Sequence, residues 1–117
     1  MGFDARTYGS DVLAYAGGQN VLAGRPRRYP LAADLEEGPA RQTDRDTRYP
    51  RLGPAELRRH AGALVLLPDE PFRFGPADAA ELAALGLGPA RFVSGKDLFW
   101  YGVRTAPAIA RLACLLP

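Results

Sequence analysis

Ala63-Leu64-Val65-Leu66-Leu67-Pro68 is an unbroken apolar run stopped by a proline. It is too short for a helix packed on all sides. Its length and its aliphatic content suit a strand buried on both faces, which is typical of a parallel sheet. Downstream, Pro76 to Leu85 is rich in Ala and ends at Gly86, which reads as a helix. Arg91-Phe92-Val93-Ser94 reads as a second strand. Strand, helix and strand within about thirty residues make a βαβ unit, so the chain is expected to be α/β, with a small, mostly parallel sheet flanked by helices on both sides.

Upstream, Tyr8, Val12, Leu13 and Ala16 fall on one face at helical spacing, which predicts a helix over 5–16 stopped by Gly17-Gly18. Asn20-Val21-Leu22 is a short strand candidate. Residues 23–51 are rich in Pro, Gly and charge and lack periodicity, so they read as a long loop. Arg28-Tyr29-Pro30-Leu31 and Arg48-Tyr49-Pro50-Arg51 bracket it like the ends of an insertion. Pro54 opens a short helix to about Ala61. Thr105 caps a final helix carrying Ile109, Leu112, Ala113 and Leu116. The first helix has no strand before it, so the sheet is read as lacking its first strand.

The composition narrows the function. The chain has 117 residues, 47% hydrophobic and 24% charged, enough for one domain with a modest core. Its net charge of +2 rests almost wholly on Arg, with acids interspersed, so the basic residues read as a solvated surface and nucleic acid is not an expected partner. No apolar run reaches the length of a membrane span, and Met-Gly-Phe-Asp at the start does not read as a signal peptide. The lone Cys114 excludes an internal disulfide and is expected to be a buried thiol on the last helix. With a single His60, neither a metal site nor a resident cofactor is expected.

No catalytic residues emerge. Ser10, Ser94 and His60 lack any recognisable motif, and Gly17-Gly18 and Gly86-Leu87-Gly88 follow helices instead of opening them. Asp69-Glu70 follow the first strand, where catalytic carboxylates can lie, but an isolated pair is more often solvated loop charge. Phe72 and Phe74 either line a pocket or pack beneath their loop. Phe99-Trp100-Tyr101-Gly102-Val103-Arg104 joins flat rings to a fixed fork of donors just before a helix. That combination suits gripping a large ligand with apolar and polar parts. The alternative for Trp100 and Tyr101 is a packed hinge.

Four segments, in order, resemble one family. Ala16-Gly17-Gly18-Gln19-Asn20-Val21-Leu22 is similar to the AGGENVF signature of the cobalamin and iron-siderophore periplasmic binding proteins, the helical-backbone metal receptors. Tyr49-Pro50-Arg51-Leu52 before a helix resembles its YPxVS-LEEL. Val65-Leu66-Leu67-Pro68-Asp69-Glu70-Pro71-Phe72 looks like VVLLPDEPF of its cobalamin-type branch, and Trp100-Tyr101-Gly102-Val103-Arg104 resembles WYGPR.

The resemblance implies that residues 1–117 are the C-terminal lobe of a two-lobed, Rossmann-like binding protein serving an ABC importer, with the rest of the protein and its leader upstream. The intact protein would be periplasmic or in the cell envelope. Its ligand would be a corrinoid of the vitamin B12 type, held non-covalently in the interlobe cleft, or else a metal-siderophore or haem. Position by position, Met1, Tyr49 and Arg104 match cleft residues. Trp100 stands at a cleft polar position, and Tyr101 is grouped with it. The family docks on its permease through a surface Glu near the start of the helix after YPxV. Ala55 holds that register here, and Glu56 is the adjacent candidate. Self-association of the chain through unpaired strand edges is expected. From a different class, a small α/β enzyme or nucleotide-binding domain would need a Gly-rich strand-to-helix turn or a paired acid and base, and the sequence offers neither.

Overall fold

The structure, a computed structural model, describes residues 2–99 and 105–116. Among the described residues six helices and two strands follow in the order α1 (Tyr8–Tyr15), α2 (Leu31–Asp34), α3 (Pro54–Arg59), β1 (Val65–Pro68), α4 (Pro76–Ala84), β2 (Ala90–Val93), α5 (Gly95–Phe99) and α6 (Thr105–Leu115). β1 and β2 pair in parallel with Val65 opposite Ala90 and Pro68 opposite Val93, and α4 is their crossover. The βαβ unit read from the apolar run is therefore present. The result is a mixed helix and strand domain around a two-stranded parallel sheet.

Each helix start has a local cause. Thr7 caps α1, its Oγ1 accepting the Ser10 N–H at 3.2 Å and donating to the Asp4 carbonyl at 2.9 Å. This puts the start at Tyr8 and leaves Ala5 to Thr7 as the lead-in turn. Pro54 and Pro76 sit in the first turns of α3 and α4, where their missing N–H costs nothing. Asp78 reaches back to accept the Gly75 N–H at 2.7 Å.

The core is small. Val12 of α1, Leu98 of α5 and Leu112 of α6 are buried against one another, with Leu66 and Val93 of the sheet, Tyr8, Leu13, Phe99 and Ile109 around them. Strand alternation turns Leu67 and Phe92 to the opposite face, where Leu67 is buried and Phe92 is half exposed. α4 buries none of its residues.

Several expectations are corrected. The run 63–67 is not a central strand buried on both faces. β1 has one strand neighbour among the described residues, which makes it an edge strand, and of its residues only Leu67 is buried while Leu66 is partly covered by the Val12, Leu98 and Leu112 cluster. Asn20-Val21-Leu22 is a turn: the Asn20 side chain accepts the Leu22 N–H at 3.0 Å and donates to the Phe3 carbonyl at 2.8 Å. Residues 23–51 contain α2, and residues 95–99 form α5, a helix that the sequence pattern did not predict. Cys114 is exposed, since α6 turns Ala108 and Leu112 inward and leaves Ala113 and Cys114 outside.

Candidate functional site

Of the five residues expected to line a cleft, Tyr49 lies among those described. Met1, Trp100, Tyr101 and Arg104 lie outside them. The described residues next to them in the chain nevertheless meet. The Gly2 N–H donates to the Pro50 carbonyl and the Asp4 N–H to the Arg48 carbonyl, both at 2.9 Å. That alternation is the register of an antiparallel pair, and it sets Phe3 opposite Tyr49. The Phe3 ring meets the Phe99 ring edge to face, with centroids 6.0 Å apart. Gly9 allows this approach, since a Cβ there would lie 3.3 Å from the Phe3 ring and 3.2 Å from the Leu98 carbonyl. Tyr8 and Thr105 share a hydrogen bond between hydroxyls at 2.5 Å. The neighbours of Met1 and of the 100–104 segment thus converge on the start of α1, beside half-buried Tyr49.

The loops that follow β1 and β2 touch. The Gly95 N–H, at the start of α5, donates to Asp69 Oδ1 at 2.8 Å. Asp69 is therefore a helix cap supplied from the other strand's loop. Phe72 is 60% exposed and stacks edge-on against Phe74 at 4.8 Å, so it belongs to the surface. A shallow groove of about 410 Å³ runs between the end of β2 and α6, lined by Phe92, Val93, Leu112, Cys114 and Leu115, with the Asp97–Arg111 ion pair at its wall.

Glu56, the expected docking residue, faces inward. Arg25 grips it with two bonds, Nε to Oε2 at 2.7 Å and Nη2 to Oε1 at 3.0 Å. Arg25 Nη1 also donates to Asp34 Oδ1 at 2.7 Å, and Asp34 accepts the N–H groups of Arg28 and Arg51 at 3.0 and 2.7 Å. Asp34 is fully buried. Burial pushes its carboxyl up, but the Arg28 N–H, the Arg25 guanidinium and the Arg51 N–H outweigh it, and the net shift is downward. The cluster bolts residues 25–51 onto α3.

A second arginine group gave no motif. The guanidinium carbons of Arg27 and Arg45 lie 4.8 and 5.4 Å from the Tyr29 ring centroid. Its only sequence signal is the density of Arg between 25 and 51.

Among the described residues no three His, Cys, Asp or Glu side chains come together as a metal-binding set, and no helix is long and apolar enough to cross a membrane. No protein-family model, curated protein or solved structure matches the chain.

Proposed function

We propose that this chain is the C-terminal lobe of a substrate-binding protein for an ABC importer, and that it takes a corrinoid on the face marked by Tyr49. On this reading the two-stranded parallel sheet is part of a Rossmann-like layer, and the intact protein works in the periplasm or cell envelope. Four sequence segments in the order of one family motivate the reading. Its chief structural support is that the Phe3 and Phe99 rings, which lie close to Met1 and to Trp100-Tyr101 in the chain, meet, and that the backbone of Tyr49 runs beside that of Phe3. Aromatic walls with one Arg, here Arg104, suit a large ligand with an apolar body and a polar periphery. Docking on a permease through Glu56 is the part with least support, since that carboxylate is held by Arg25 and the pair would have to open.

Trp100 is the only Trp, so intrinsic fluorescence reports on the proposed face directly. Titration with cyanocobalamin is expected to quench it saturably, with weak affinity because one lobe supplies one wall of a cleft. Tyr49→Ala should weaken binding by about 1–3 kcal/mol, the scale of one buried aromatic side chain. Binding of a ferric siderophore or haem in place of the corrinoid moves the ligand within the class. Unchanged Trp100 fluorescence with all three removes the reading.

A further inference from the structure

We propose that Arg27 and Arg45, mounted on Tyr29, form a binding site for a small anion carrying two or more oxyanion groups. Backbone hydrogen bonds within the 23–51 segment hold the frame. The Arg27 N–H donates to the Thr47 carbonyl at 2.7 Å, and the Arg41 N–H to the Tyr29 carbonyl at 2.8 Å. The Tyr29 hydroxyl donates to the Asp46 carbonyl at 2.8 Å, which fixes the ring. Both guanidinium carbons lie within 5.4 Å of that ring's centroid, so they are no more than about 10 Å apart. Two like charges are thereby held on one ring.

Most of the acids nearby are paired with other arginines. Asp46 is engaged through both oxygens by Arg48 at 3.0 Å. Asp34 forms a long ion pair with Arg27, Oδ2 to Nε at 3.9 Å, beyond hydrogen-bonding distance, and its charge is shared with Arg25 and the Arg51 N–H. Glu36 pairs with Arg59 and Glu56 with Arg25. Asp44, beside Arg45 in sequence, is exposed and forms no ion pair among the described residues. Arg27 Nε is buried with no hydrogen-bond partner, while the side chain as a whole stays one quarter exposed. Its stem is therefore packed and its head reaches the surface. A guanidinium held in place, with at most one long ion pair, loses little rotamer freedom when it captures an oxyanion, and its planar fork matches phosphoryl and carboxylate oxygens. Heads up to about 10 Å apart can each take one such group of the same anion. This site stands independently of the corrinoid reading and lies on different residues.

The test is calorimetry of the folded chain with pyrophosphate and, separately, citrate, at low and at physiological salt. Saturable binding that weakens as salt rises is expected, and whichever probe binds tighter assigns a phosphoryl or a carboxylate ligand. Arg45→Gln, at an exposed residue, and Arg27→Gln should each weaken binding about ten-fold or more. Arg58→Gln, at an exposed arginine on α3 with no ion pair among the described residues, should leave it unchanged. Absence of saturable binding to both probes overturns the proposal. So does an Arg58→Gln loss equal to that of Arg45→Gln, which would mean diffuse surface charge.

Discussion

Asp34 carries the most demanding position in the chain. It is fully buried, and it is tolerable there because Arg25 and two backbone N–H groups satisfy it. Asp34→Asn removes the charge and leaves Arg25 facing Glu56 alone. The expected cost is on the order of 3 kcal/mol, the lower end for breaking a buried pair, read from the urea midpoint. The pH dependence follows from the sign of the shift. The Asp34 and Asp4 carboxyls are held below their ordinary values, and Asp46, bonded by the Arg48 guanidinium and N–H, is held at about 2. Groups with depressed folded values stabilise fully above the unfolded value near about pH 3.9, and that stability is lost as pH falls through the folded values. Acid unfolding is therefore expected below about pH 4, with a shallower acid limb in Asp34→Asn. None of this was legible in the sequence. Arg25 and Glu56 are 31 positions apart, and only the folded loop decides which of many arginines meets which acid. For the same reason Glu56 read as a surface residue. Tyr49 could be singled out by its Tyr-Pro context, but its partner Phe3 could not, because their pairing spans nearly half the chain.

The elements show where local pattern suffices and where it fails. α1, α3, α4, α6 and both strands lie where periodicity, Pro and Gly put them, within a few residues at their ends. α5 was missed because its start depends on something distant. Gly95 is a poor helix former, and its N–H is capped by Asp69, 26 residues earlier. The Gly is required by packing. A Cβ at 95 would stand 2.5 Å from the Glu70 carbonyl oxygen and 2.8 Å from its nitrogen, both backbone atoms that cannot rotate away. Gly95→Ala is thus expected to push the two strand-end loops apart and to cost about 1–3 kcal/mol, the range for forced overpacking. Gly24→Ala, where a Cβ meets nothing within 4 Å, is the control and should fall within about 0.5 kcal/mol of the parent. Equal urea midpoints for the two variants would show that the close approach at Gly95 relaxes freely.

For the whole molecule the decisive quantity is how little of it is sealed. The described residues include seven buried hydrophobic side chains, and two of those are alanines. The radius of gyration is 14.6 Å, against about 13.4 Å for a typical compact chain of this length. The apolar run 63–67 reads as a strand with both faces covered, and here Leu67 is the one residue of the run that is buried. β1 and β2 each have one strand neighbour among the described residues, Phe92 is 52% exposed, and α4 buries nothing. Sheet edges with free N–H and C=O groups beside exposed rings pair readily with another chain. The chain by itself is therefore expected to unfold at low denaturant and to associate as its concentration rises. Sedimentation velocity across a hundred-fold concentration range, with urea unfolding at each end, measures both. Association should raise the urea midpoint with concentration, because binding to the folded form alone stabilises it by mass action. Phe92→Lys places a charge on the exposed face of the edge strand, where it should weaken association while leaving the Val12, Leu98 and Leu112 cluster untouched. A strictly monomeric chain with a high, concentration-independent midpoint would mean that the two-stranded sheet and its three-residue core are sufficient as they stand.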